Sequence, residues 1–242
     1  MKRHFTGLTD PGLVRSANQD SYYFDPEGRF FIVADGMGGH AGGEQASRIA
    51  AESIRNYLDS HWKSSEKSDE LLKTAIKEAN NAILVDQVEN PERQDMGTTA
   101  VIVVFRQKKV WRAHVGDSRL YRLREEDLAQ LTEDHTWVGK AMKAGDITAE
   151  QAKIHPWRHV LSQCLGRKDL LQIDIEPIEL ENGDRLILCS DGLTEEVDDP
   201  EITSIMLESD TPEKAALNLV EAAKNNGGSD NVTVIVVSEA SE

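Results

Sequence analysis

Every pronounced apolar run in the chain is short. The longest, residues 100–105 and 232–237, hold six residues each. That length suits a buried strand and falls far below the roughly 20 residues a helix needs to cross a bilayer. The strand-like runs come in hairpin pairs. Residues 21–25 and 29–34 are separated by Pro26-Glu27-Gly28, which sets a tight turn. Residues 99–105 and 110–115 are joined by a basic turn, and 119–123 and 128–131 flank a charged one. Further strands are expected at 171–178, 185–190 and 232–237.

Helical periodicity appears in two pairs of segments. Ala46, Ile49, Ala50, Ile54, Tyr57 and Leu58 mark one face over about 43–62, and Leu72, Ala75, Ile76, Ala79 and Ile83 mark another over 69–88. The second pair falls near 200–207 and 212–225. Strands do not alternate regularly with helices, which disfavours a doubly wound parallel sheet and predicts antiparallel sheets covered by helices. With no boundary composition anywhere, one domain over residues 1–242 is expected. The least regular stretch, 136–165, carries Gly145, Pro156 and two of the four Trp residues, and reads as short helices and loops.

Charge narrows the function classes. Lys and Arg number 27 against 43 Asp and Glu, a net charge of −16. Such a polyanion lacks the basic stripes that release counterions from nucleic acid or anionic lipid, so neither is an expected partner. Hydrophobic residues make up 39% and fall in periodic segments, which argues against disorder. The two cysteines, Cys164 and Cys189, form no CxxC pair. A disulfide framework is excluded and a reducing compartment is expected. No apolar signal core follows Met1-Lys2-Arg3, so the chain reads as a cytoplasmic globular protein.

The chemistry-bearing residues are aspartates where strands begin or end. Asp35 closes FFIVAD before Gly36-Met37-Gly38-Gly39; Asp117 closes AHVGD; Asp191 closes LILCSD; Asp20 and Asp230 each precede a strand. A carboxylate beside a buried strand end is costly to desolvate unless a cation meets it, and apart from Arg119 few cationic side chains sit nearby in sequence. Oxygen ligands on short Asp side chains suit Mg²⁺ or Mn²⁺ better than Zn²⁺ or copper. Converging aspartates can hold two such ions and activate a bridging water for attack on phosphorus. Asp also caps helices and closes turns, and the sequence alone leaves that reading open. Other signals are weaker. DGMGGHAGG lacks the Gly-Lys-Ser/Thr of a P-loop, and Pro156 disfavours a helical zinc pair at His155 and His159. Cys189 reads as core, and no Gly-x-Ser-x-Gly elbow supports a serine hydrolase.

Seven words occur in order along the chain: RSANQD (15–20), VADGMGGH (33–40), MGTT (96–99), HVGDSR (114–119), LTEDH (131–135), CSDGL (189–193) and SDNVT (229–233). Together they resemble the bacterial PPM/PP2C family of metal-dependent protein serine/threonine phosphatases. The resemblance implies an α+β fold, a four-layer α-β-β-α sandwich of two antiparallel sheets flanked by helices, with a variable flap at about 136–165. It implies a centre of two Mn²⁺ or Mg²⁺ ions held by Asp20, Asp35, the Gly36 carbonyl, Asp191 and Asp230. A third, looser ion would be held by Asp117 together with Asp191. Arg15 matches the phosphate-binding arginine, and Arg119 is expected to orient a neighbouring carboxylate.

The implied reaction is hydrolysis of phosphoserine and phosphothreonine by direct attack of a metal-bridging hydroxide, with Arg15, Asp35 and Asp191 as catalytic residues. The chain departs from the family at two places. Gln19 stands where many members carry Glu, and Met37 stands where eukaryotic members carry a proton-donating His. His40 is a candidate substitute and a candidate substrate contact. Trp137 and Trp157 are expected to pack the flap. The implied partners are phosphorylated proteins and a cognate serine/threonine kinase, with the chain a monomer. A catalytically silent phosphoprotein binder and a phosphatase of small metabolites are the competing readings.

Overall fold

The computed structural model describes residues 3–239, apart from the side chains of residues 40 and 41. Two sheets form, and every strand pairing in them is antiparallel. The first orders its strands β1 (Arg3–Asp10), β11 (Val232–Glu239), β10 (Arg185–Cys189), β7 (Arg119–Arg124) and β8 (Asp127–Gln130). The second runs β2 (Asp20–Phe24), β3 (Phe30–Met37), β5 (Ala100–Arg106), β6 (Lys109–Val115) and β9 (Asp174–Ile178), with the short β4 (Gly97–Thr98) also on β3.

Alternation along the strands explains the layering. On β3, Phe31 and Val33 face the other sheet, whereas Phe30, Ile32 and Ala34 face helices. On β11, Ile235 and Val237 point inward and Val232, Val234 and Val236 point outward into a second helical layer. Both faces of these strands are buried, which is why their sequences are continuous apolar runs. Full burial of each such side chain contributes about 1.5–3 kcal/mol.

The outer layers follow from the helical stripes. Helices α1 (Gly39–His61) and α2 (Ser68–Glu89) cover the second sheet with Ala46, Ala50, Ile54, Leu58, Leu72, Ile76 and Ile83. Between β8 and β9 the chain forms α3 (Trp137–Ala144) and α4 (Ala149–Lys153). The short α5 (Asp191–Thr194) leads to α6 (Asp199–Glu208) and α7 (Pro212–Asn226), which cover the first sheet with Ile202, Met206, Leu219 and Ala223. Asp198 and Thr211 cap α6 and α7 through their side-chain oxygens, and a proline follows in each first turn. The result is the expected α-β-β-α sandwich.

The sequence reading missed strands β1 and β4 and helix α5. Strand β1 has little apolar alternation and forms because β11 pairs with it along its whole length, from Arg3↔Glu239 to Asp10↔Val232. Helix α5 is one turn long, too short for periodicity to reveal. The expected strand at 171–178 is shorter, since only β9 pairs with β6.

Candidate active site

The aspartates meet because the strands that carry them end at the same edge of the sandwich. Asp20 opens β2 and lies in register with Asp35 on β3, so both side chains leave the inward face. Asp117 lies in the link from β6 in one sheet to β7 in the other. From the facing sheet, Asp191 follows β10 and Asp230 precedes β11. Asp35, Asp117, Asp191 and Asp230 line an open cleft of about 490 Å³ with Arg15, Gly36 and His159. Asp20 is buried, 8% exposed.

Much of the remaining motif sequence holds these carboxylates in place. Asp20 Oδ2 accepts from Ser190 Oγ at 2.7 Å and Thr233 Oγ1 at 2.6 Å, two hydroxyls from the opposite sheet. The Asp35 amide donates to Thr99 Oγ1 at 2.9 Å, and its carbonyl accepts from Thr98 Oγ1 at 2.7 Å. Asn231 accepts the Gln19 amide at 2.7 Å and donates to the Pro11 and Ala17 carbonyls, which fixes the loop before Asp20. At Gly36 a Cβ would lie 2.0 Å from the Gly43 carbonyl oxygen, so only glycine lets the end of β3 and α1 approach this closely.

Electrostatics makes this arrangement unfavourable in the absence of a cation. Burial, opposed by the two hydroxyl bonds and reinforced by Asp191 and Asp230, lifts the Asp20 carboxyl to about 7. Burial and the neighbouring carboxylates push Asp35 and Asp117 well above the usual range, and burial also raises Asp191. Arg15 donates to Asp230 at 2.7 Å, a half-exposed ion pair at the lip. Asp20 Oδ1 and Asp191 Oδ1 are buried and have no hydrogen-bond partner among the described residues. Unpartnered oxygens, an all-oxygen donor set and carboxylates raised by burial and by one another fit a hard divalent cation.

Several other residues stand where the sequence reading put them. Arg119 grips Asp134, with Nη2 to Oδ2 at 2.7 Å, and so orients a neighbouring carboxylate. Trp137 stacks on His155 and meets Trp157 edge-on, so the two tryptophans of residues 136–165 pack against their own segment. The His40 side chain lies outside the described residues. Glu195 was not anticipated. Burial, then Asp191 and Asp230, raises its carboxyl to about 8, and it pairs with His159 Nδ1 at 2.5 Å. Its place directly after DGLT was the one available signal; Glu195 ends α5 and stands beside Asp191 and His159.

This sandwich, with carboxylates gathered at one end, is that of a serine/threonine protein phosphatase domain. Residues 14–220 match the profile described as protein phosphatase 2C, and the chain belongs to that family. It is 37% identical over 236 residues to the protein phosphatase PhpP of Streptococcus pneumoniae, covering 96% of this chain and 95% of that one. It is 36% identical over 239 residues to the serine/threonine protein phosphatase PstP of Mycobacterium tuberculosis, covering 96% of this chain. That alignment spans 44% of PstP, so the chain corresponds to less than half of that relative. A crystal structure of the PstP catalytic domain in complex with 2 manganese ions superposes with a TM-score of 0.87 at 33% identity, covering 98% of this chain and 97% of that one.

Proposed function

We propose that the cleft hydrolyses phosphoserine and phosphothreonine in proteins, with Asp20, Asp35, Gly36, Asp191 and Asp230 holding two Mn²⁺ or Mg²⁺ ions and Asp117 with Asp191 a third. The observation that carries this reading is the pair of buried, unpartnered oxygens on Asp20 and Asp191 within a nest of mutually repelling carboxylates. Bound divalent ions neutralise that charge and lower the pKa of a coordinated water, supplying a nucleophile near neutral pH.

The chain's own residues do the rest. Ser190 and Thr233 occupy one oxygen of Asp20 and leave the other without a partner among the described residues. Thr98 and Thr99 hold the backbone of Asp35 on both sides. Arg15 stands at the lip with its guanidinium half exposed, free to exchange Asp230 for phosphoryl oxygens and to stabilise charge that develops on them. Both cysteines are buried and burial raises their thiols, Cys189 to about 12, which fits direct attack by water without a thiol phosphoenzyme.

Residues 1–242 act as one catalytic domain with the 136–165 segment as its flap. Among the described residues no helix is long and apolar enough to cross a membrane. The enzyme works as a monomer in the cytoplasm, opposing a serine/threonine kinase. The deciding experiment is hydrolysis of a phosphothreonine peptide and of a sugar phosphate by the purified chain, with Mn²⁺ or with chelator. Mn²⁺-dependent turnover of the peptide in preference to the sugar phosphate is expected. Preference for the sugar phosphate, or no turnover from folded, metal-loaded protein, overturns the assignment.

A further inference from the structure

The LTEDH segment grips the turn that carries Asp117 with two consecutive residues. Asp134 binds the Arg119 guanidinium, accepting from Nε at 3.0 Å and Nη2 at 2.7 Å. His135 holds Gly116 twice: its backbone amide donates to the Gly116 carbonyl at 2.8 Å, and its Nδ1 accepts the Gly116 amide at 3.2 Å. Gly116 has φ +109°, and a Cβ there would lie 2.6 Å from the Thr99 side chain. Thr99 Oγ1 in turn lies 2.6 Å from Ser118 Oγ. Asp117 is therefore fixed from both sides.

Behind the imidazole stands Asp174 on β9, whose Oδ2 lies 3.1 Å from His135 Nε2. Because Nδ1 accepts an amide hydrogen, the imidazole proton resides on Nε2 and points at Asp174. That tautomer leaves His135 no lone pair for a metal ion, although His114, His135 and Asp174 stand close enough together to suggest one. His135 also roots the flap. Its carbonyl accepts the Ser162 amide at 2.7 Å, and Thr136 beside it caps α3 and pairs with Leu161.

We propose that His135, oriented by Asp174, is a positioning residue that sets Asp117 for cation binding and ties the root of the flap to it. The inference rests on Asp117 being a metal ligand, as given under the proposed function. Residues that orient ligands in this way typically change metal affinity by about 10–100-fold. The test is Mn²⁺ titration of the full chain without substrate, read by the electron paramagnetic resonance of free Mn²⁺. His135→Ala and Asp174→Leu are expected to weaken by about 10-fold the binding step that Asp117→Ala removes, leaving tighter steps unchanged. Asp174→Asn, whose amide oxygen still accepts from Nε2, is expected to stay within about twofold of wild type.

Trypsin cleavage at Lys140, Lys143 and Lys153 is expected to accelerate in the two disruptive variants. Isotherms of His135→Ala and Asp174→Leu that coincide with wild type overturn the proposal. If His135→Ala does not fold, the partly exposed Asp174→Leu decides alone. An Asp117→Ala isotherm equal to wild type overturns instead the ligand role of Asp117, a separate failure.

Discussion

Replacing Asp20 by Asn removes one buried carboxylate from the metal-free fold and, in the same direction, relieves part of the charge that raises Asp35. Burial lifts the Asp20 carboxyl to about 7 from an ordinary 3.8. An acid with a raised pKa binds its proton more tightly when folded, so its contribution is complete below the unfolded value and is lost as pH rises toward 7. Between pH 5.5 and 8 the loss spans about 1.5 pH units, on the order of 2 kcal/mol. Asn does not titrate, and its Oδ1 can still accept from Ser190 and Thr233. In chelator, the stability advantage of Asp20→Asn over wild type should therefore grow by about 2 kcal/mol from pH 5.5 to 8, or roughly 4–8 °C in Tm.

His114 titrates in the opposite sense. Burial, chiefly, holds its imidazole down to about 3, so acidification below its unfolded value destabilises the fold. That slope is common to both proteins and cancels in the difference. Calorimetric melts of the two proteins at several pH values in chelator give the answer. An advantage that stays constant or shrinks with rising pH refutes the reasoning. Saturating Mn²⁺ at pH 7.5 should reverse the order, because a ligand at about 100 times its Kd adds about 2.7 kcal/mol to the protein that binds it.

Asp191→Ala should bring phosphopeptide turnover below detection while circular dichroism and gel filtration stay those of wild type; near-normal turnover removes Asp191 from the centre. Arg15→Ala should chiefly raise KM for phosphopeptide, by about 10-fold or more given the strength of hydrogen bonds to charged groups, and an unchanged KM argues against a phosphate role. Gly36→Ala should lower Tm and Mn²⁺ affinity together, since its Cβ would sit 2.0 Å from the Gly43 carbonyl oxygen and must push the end of β3 off α1. Wild-type melting for that variant would mean the end of β3 relaxes freely.

The motifs were legible because each packs a chemical requirement into a few adjacent residues. Asp35-Gly36 pairs a buried carboxylate with the only residue small enough beside Gly43, and Thr98-Thr99 supplies two hydroxyls that hold Asp35. The hairpins were legible for a similar reason, since turn chemistry and apolar alternation are local. Glu195, the clamp of His135 on Gly116 and the pairing of β1 were not, because each depends on a segment distant in sequence.

The amino-acid sequence alone determined most helix and strand segments, the local hairpin pairings, the net charge of −16 and the aspartates at the strand ends. Those properties follow from periodicity, turn residues and charge, which act over a few residues or over composition as a whole. Tertiary structure decided that Asp20 faces Asp35 across one ladder while receiving hydroxyls from the other sheet, and that Arg15 meets Asp230. It also decided which carboxylates share a desolvated volume and so repel one another. Desolvation and Coulomb energy depend on distances in space and on what excludes water, and only the stacking of the two sheets sets those.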